Sequence, residues 1–405
     1  MSVSIDVAWK SLNKHHEELC GDKVEIVKTA DSDIVILADG MGSGVKANIL
    51  ATLTSKILAT MMNEGATIES CVETIAKTLP ICQERKVAYA TFSILQIFHD
   101  GTAYLAEFDN PDCVFVRDKQ VVKYPYETRV IEGKKIHEYR FKVQQNDCFV
   151  LMSDGVIYAG AGEILNLQGW TWENMADYTL QCTKKTLSAA RLAAMLSEAC
   201  DDLYLQKPGD DTTIAVARVI ERKVVNIFTG PPKSKEDDEV LMREFMRNEG
   251  KKIVSGGTSS QIAARYLHKE IVMQVQCPGQ GNPSNRTGAA IQAADVPPTA
   301  VIEGLDLVTE GVLTLGKALK LLKRYQNDDF DADFFDELDA DNGASKLAKL
   351  LIEECTELNL FVGTAMNEAH RNSDLTFDLS MRMNLVEQLK NVMEKMGRSV
   401  TVKYY

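Results

Sequence analysis

The chain lacks the marks of export and of membrane insertion. Its start, "MSVSIDVAWKSLNKHHEE", has no basic-then-apolar leader design. No apolar run approaches the ~18 residues that a membrane helix needs. Nine cysteines are scattered at 20, 71, 82, 113, 148, 182, 200, 277 and 355, with no C-x-x-C pair among them. That spacing excludes a zinc ribbon or a thioredoxin-type site. The thiols are expected to be reduced and the protein cytoplasmic. Positive charge is also in deficit, with 45 Lys and Arg against 58 Asp and Glu, a net −13. Such a surface repels phosphate backbones, so no nucleic-acid partner is expected.

What remains is an ordinary globular composition, 45% hydrophobic and 25% charged. At 405 residues it is too long for one core, because single cores stop growing at about 250–300 residues. The texture changes near residue 222. Before it come short strands with turn signals between them, two helical stretches after Val45, and two more at 172–184 and 188–205. After it strands and helices alternate: helices at 235–249, 258–268, 314–325, 344–355 and 376–396, and strands at 251–255, 270–275, 358–362 and 399–404. Alternation of this kind predicts a largely parallel sheet. The expected division is therefore 1–221 and 222–405. A Gly- and Pro-rich stretch near 277–292 reads as a mobile loop, and the acidic run at 327–343 as a solvated loop.

In the first helix, apolar residues at Val45, Ile49, Leu50, Leu53, Ile57, Leu58 and Met61 mark the face expected to be buried. The paired His15 and His16 read as exposed residues of an N-terminal helix.

The stretch "DIVILADGMGSG" (33–44) poses the main chemical question. An apolar strand ends on Asp39, and a glycine loop follows. "FVLMSDG" places Asp154 in the same setting, and "GDDTT" places Asp210 and Asp211 just before an apolar strand. Asp22, in "CGDKVEIV", also abuts a strand. Any one of these is an ordinary turn or cap. Four in one half of the chain are different. If they converge, the carboxylates repel unless a hard divalent cation such as Mg²⁺ or Mn²⁺ lies among them. A dinucleotide loop fits less well, because the third fingerprint glycine would fall on Val45 and the acid precedes the glycines.

In that order and spacing, "GD…ADGMGSG…SDG…GDDTT" resembles the metal-dependent protein phosphatases (PPM superfamily, protein phosphatase 2C-like). The bacterial branch typified by the stage II sporulation protein E phosphatase domain is the better match. The resemblance covers about residues 3–220. It implies an α+β fold, a PPM-type α-β-β-α sandwich of two antiparallel sheets flanked by helices, here followed by a smaller α/β domain. It also implies a site. Asp39 would bridge two Mn²⁺ or Mg²⁺ ions, with a third left open, and the Gly40 carbonyl would bind one. Asp154 and Asp210 would hold the second ion, with Asp211 the alternative to Asp210, and Asp22 would contact the first. The implied activity is that of a serine/threonine phosphoprotein phosphatase. Water made nucleophilic by the ions attacks phosphorus, without a phosphoenzyme. The implied substrate is a phosphorylated regulatory protein.

The sequence departs from many members of the superfamily in having Met41 where they carry histidine, so the acid for the leaving group is unassigned. Water, His15 and His16 are the alternatives. Ser43 and Lys46 are near enough in sequence to approach a phosphate, although a solvated lysine explains Lys46 as well.

Two other readings stand beside this one: a non-enzymatic binding module on a phosphatase fold, and hydrolysis of a small phosphometabolite. The tail is similar to an extension found on some clostridial-type members. In "KKIVSGGTSSQIAARYL", Gly256, Gly257, Thr258 and Ser259 lie where a strand meets a helix, a place suited to an anion or to simple capping. A small-molecule ligand of this domain, with a sensor or docking role, is the expectation there, and a homodimer is left open.

Overall fold

The computed structural model describes residues 3–78, 90–161, 169–273, 299–327, 329–365 and 375–405. The expected loop at 277–292, His370, which the sequence offers as a lone polar loop residue, and the far end of a second helix that the sequence suggests from Thr67 to about Gln83 lie outside them. The chain divides into two compact units, Met1–Glu221 and Arg222–Tyr405.

The first unit runs β1 (Val3–Leu12), β2 (Asp22–Lys28), β3 (Ser32–Asp39), α1 (Gly44–Asn63), α2 (Ile68–Thr78), β4 (Thr91–Phe98), β5 (Thr102–Phe108), β6 (Val114–Arg117), β7 (Gln120–Val121), β8 (Glu127–Ile131), β9 (Lys134–Lys142) and β10 (Cys148–Met152). It ends with α3 (Asp154–Ile157), α4 (Trp172–Thr183), α5 (Ala189–Leu203) and β11 (Thr212–Glu221). Two sheets result, β1-β11-β10-β6-β7 and β2-β3-β4-β5-β9-β8, and every pairing in them is antiparallel.

Strand β3 shows why its run is apolar throughout. Ile34 and Ile36 face α1 and α2 in one core cluster. Val35 and Leu37 face the opposite sheet in another, with Ile5, Phe149, Leu151 and Ala217. Both faces are covered, so period-two alternation disappears. Each such side chain contributes about 1.5–3 kcal/mol by burial. Helix α5 packs on β1 and β11 from the far side. The unit is thus an α-β-β-α sandwich with the expected antiparallel sheets.

Three local expectations are corrected. The N-terminal stretch is a ten-residue strand paired with β11 from Val3↔Glu221 to Leu12↔Thr212; His15 and His16 sit in the exposed turn after it, not on a helix. Helix α1 follows the expected face only in its second half, where Leu58 is buried and Ile57 and Met61 pack against the core. In its first half Val45, Ile49 and Leu53 are exposed, whereas Ala47, Ala51, Thr54 and Ser55 are buried. Close approach decides this: a Cβ on Gly40 would lie 2.1 Å from the Ala47 carbonyl oxygen, so only small side chains fit where the helix meets the sheet. The third correction lies in the second unit.

That unit runs β12 (Val224–Thr229), α6 (Asp237–Arg247), β13 (Lys251–Ser255), α7 (Gly257–Leu267), β14 (Val272–Met273), β15 (Ala300–Val301), β16 (Leu307–Thr309), α8 (Val312–Gln326), α9 (Ala332–Leu338), α10 (Gly343–Glu353), β17 (Glu357–Val362), α11 (Leu375–Lys395) and β18 (Ser399–Tyr404). The sheet order is β14-β15-β16-β13-β12-β17-β18. The five strands from β16 to β18 are parallel, with β14 and β15 antiparallel at one edge. Chain order moves outward from β12 through β13 to β16, then reverses to β17 and β18. This is a smaller α/β domain with a topological switch point at β12 and β17. Here the acidic run is not a loop. Asp331 caps α9 by accepting from the Phe334 amide, and Phe330, Phe334, Phe335 and Leu338 are buried. The aromatic residues among the aspartates supply an apolar face that outweighs the charge.

Candidate active site

Five aspartates are carried to one region by three pieces of backbone. Asp22 opens β2 and Asp39 closes β3, and the two are direct cross-strand partners. Asp154 stands two residues beyond β10, at the start of α3, rather than at the strand end itself. Asp210 and Asp211 immediately precede β11, which pairs with β10. The Gly40 amide donates to the Gly21 carbonyl at 3.1 Å, tying the two strand ends together.

Glycine is needed here mainly because protein meets protein closely. A Cβ on Gly155 would lie 2.2 Å from the Asp211 carbonyl oxygen and 2.6 Å from Thr212 Oγ1. A Cβ on Gly21 would lie 2.7 Å from Asp211 Oδ2. In this loop Gly42, with φ +95° and nothing within 4 Å, is the open position.

Asp22 and Asp211 are buried, while Asp39, Asp154 and Asp210 are half-buried. Burial pushes the Asp22 carboxyl up to about 7; the Ser153 and Thr213 hydroxyls restrain it, and the charges of Asp211 and Asp154 add to it. Burial also drives Asp39 up, to about 9, with Asp22, Asp154 and Asp210 repelling its charge. Asp154 rises by burial and then by the nearby Asp210, against the pull of the Gly155 amide and Lys14. These mutual effects mark a single electrostatic site.

Lys14 is its main counter-charge, with Nζ 3.6 Å from Asp210 Oδ1 and its amide donating to Asp211 Oδ1 at 3.0 Å. Lys14 was not singled out from the sequence; only the pairing of β1 with β11 brings it there. Glu17 was missed likewise, and accepts from the Ser43 hydroxyl at 3.1 Å. Lys46 is exposed. The His15 amide donates to the Pro208 carbonyl, beside the acidic turn. The neighbouring Cys20 thiol is pushed up to about 12, chiefly by burial, so it is no nucleophile near neutral pH.

Both oxygens of Asp22 and Oδ2 of Asp211 are buried and lack a hydrogen bond of good geometry, although the Ser153 and Thr213 hydroxyls are near enough to Asp22 to favour its charged form. Buried carboxylate oxygens, a donor set made only of oxygen, and five carboxyl groups against one lysine suit a hard divalent cation. Among the described residues no three His, Cys, Asp or Glu side chains form a closed ligand set for one ion. The fit therefore rests on kind, charge and buried oxygens. Beside Asp154 a hollow of about 500 Å³ opens between Asn110, Lys135, His137, Ile157 and Tyr158.

This fold and acidic site define a protein phosphatase 2C-like domain. Residues 30–220 match the family model of Stage II sporulation protein E (SpoIIE). No curated protein matches the chain. Similar solved structures include the PP2C phosphatase domain, with a fragment of the regulatory domain, of the cell fate determinant SpoIIE from Bacillus subtilis. It is 20% identical with TM-score 0.45, over 54% of this chain and 64% of that one, so the match spans under two thirds of its length. RsbX in complex with magnesium is 18% identical, TM-score 0.38, over 53% and 95%. The catalytic domain of the serine threonine protein phosphatase PstP, in complex with two manganese ions, is 14% identical, TM-score 0.39, over 54% and 100%. Among the described residues no helix is long and apolar enough to cross a membrane.

Proposed function

We propose that residues 1–221 are a Mg²⁺- or Mn²⁺-dependent phosphatase acting on phosphoserine or phosphothreonine in a regulatory protein. The observation that carries this reading is the meeting of five carboxylates from distant strand ends, with buried oxygens among them. Asp39, the Gly40 carbonyl, Asp154 and Asp210 would hold two ions, with Asp22 at the first. Ions bound there would lower the pKa of a water and offset charge on the phosphoryl oxygens.

Asp210 is favoured over Asp211 because its charge acts on both Asp39 and Asp154. Asp211 is buried, and its Oδ1 is occupied by the Lys14 amide; its role is to set the negative potential behind the site. Lys14 places a cation beside Asp210, where it can orient an anionic group. The hollow beside Asp154 leaves room for residues flanking a phosphorylated side chain. Residues 222–405 would serve as a sensor or docking domain.

The test is Mn²⁺-dependent hydrolysis of p-nitrophenyl phosphate and of a phosphoserine peptide. Asp39→Asn and Asp154→Asn should each abolish turnover while circular dichroism stays unchanged. Full activity in both variants would remove the assignment. No turnover by the wild-type chain on either substrate would favour a non-enzymatic binding role.

A further inference from the structure

The second unit has a crevice of about 240 Å³ at the C-terminal ends of its parallel strands. Its floor is made by the turns after β12, β13 and β16. Open sheets of this kind present ligand sites at that edge, beside the switch point. Three features make this crevice more than a fold-level analogy.

First, α7 and α8 both start here, each with a glycine at its N-cap. Gly256 and Gly311 precede them with φ +119° and +114°. A Cβ on Gly311 would sit 3.0 Å from the Gly256 Cα, so the two turns pack tightly and bring two helix N-termini to one hollow. Neither helix has a side-chain cap. Elsewhere in this unit α9 and α10 are capped by Asp331 and Asn342, and α6 has no side-chain cap. The first-turn amides of α7 and α8 are thus left to whatever occupies the crevice.

Second, Ser259 is 1% exposed and its hydroxyl has no hydrogen-bond partner. It lines the crevice, with Oγ 3.5 Å from where a Cβ on Gly256 would stand. A buried hydroxyl facing a cavity without a partner is costly unless a ligand completes it.

Third, the wall at the switch point holds Arg382, 6% exposed, whose guanidinium bonds to the Gly363 carbonyl and lies against Gly230. A side chain on Gly230 would collide with it, at 2.3 Å from Nη1. Among the described residues, Glu310 at the exposed rim is the one carboxylate that lines the crevice.

We infer that this crevice binds a phosphate dianion, free or carried on a small phosphomonoester. The amides of Gly257, Thr258 and Ser259 and the Ser259 hydroxyl would donate to it, beside the Arg382 guanidinium at the crevice wall. The inference does not depend on the activity proposed for the first unit.

The test is isothermal titration of the full chain with inorganic phosphate and, separately, with AMP. A chelator is present, so that divalent ions cannot recruit phosphate to the aspartate cluster. The wild-type chain and Asp39→Asn should bind alike and saturably. Ser259→Ala, which removes only an unpaired hydroxyl, should weaken binding roughly tenfold. Arg382→Gln should abolish it; if that variant unfolds, Ser259→Ala still decides. Tighter binding of AMP identifies a phosphomonoester, and equal binding identifies the free ion. No saturable binding of either probe at millimolar concentration overturns the inference. So does Ser259→Ala behaving as wild type, or a loss of binding in Asp39→Asn instead.

Discussion

Asp22 and Asp39 stand directly opposite one another across the antiparallel pair β2–β3, so two carboxylates that repel are held side by side by the ladder itself. Both titrate above the ordinary carboxylate range, chiefly through burial. In the unfolded chain each loses its proton near ~3.9. Above that value the folded state keeps protons that the unfolded state has lost, so stability falls as pH rises. For Asp22 the fall continues to about pH 7. The metal-free Asp22→Asn variant should therefore melt above wild type near pH 8, with a smaller margin near pH 5. A margin independent of pH, measured by thermal denaturation with a chelator present, would contradict this.

Gly155 is sterically locked and Gly42 is not. Alanine at 155 places a methyl group 2.2 Å from backbone at the head of β11, where neither partner can yield. The expected loss is about 1–3 kcal/mol or more in urea unfolding, with activity falling as Asp154 shifts. Alanine at 42 meets nothing and carries only the strain of its positive φ, about 1 kcal/mol. Equal losses at the two positions would mean that the close approach at Gly155 is relieved elsewhere.

Away from the aspartates, Glu107 is buried with Oε1 accepting from the Cys113 amide at 2.7 Å and the Tyr139 hydroxyl close enough to favour its charged form. Burial pushes its carboxyl up to about 8, and Asp112 adds to the rise. The sign is again a loss of stability as pH climbs, from the ordinary value to about 8. Glu107→Gln keeps the shape and removes the charge. Its melting temperature should exceed that of wild type near pH 8.5 and approach it near pH 5; the reverse order would show that the carboxylate is stabilised in place.

The aspartates of the proposed site could be picked out in the sequence because each sits near a junction of strand and loop, and such junctions are local patterns. Lys14 was not, since it reaches Asp210 only through the pairing of the first strand with the last strand of its unit. The buried face of α1 was misread for a different reason. Val45 and Ile49 outrank Ala47 and Ala51 in hydrophobicity, but the gap beside Gly40 admits only small residues. In the acidic run, charge masked Phe330, Phe334 and Phe335, which are what the surrounding helices bury. The strands and helices of the second unit were readable because their alternation is regular. The pairing of Gly256 with Gly311 joins two distant turns, and no local pattern announces it.

The most direct check of the central claim is Mn²⁺ binding to the full chain, followed by electron paramagnetic resonance of the free ion. The wild-type chain should take up Mn²⁺ saturably near neutral pH, and Asp39→Asn and Asp154→Asn should each lose most of that uptake. Absence of saturable uptake, or uptake unchanged in both variants, would contradict the metal site and the phosphatase built on it.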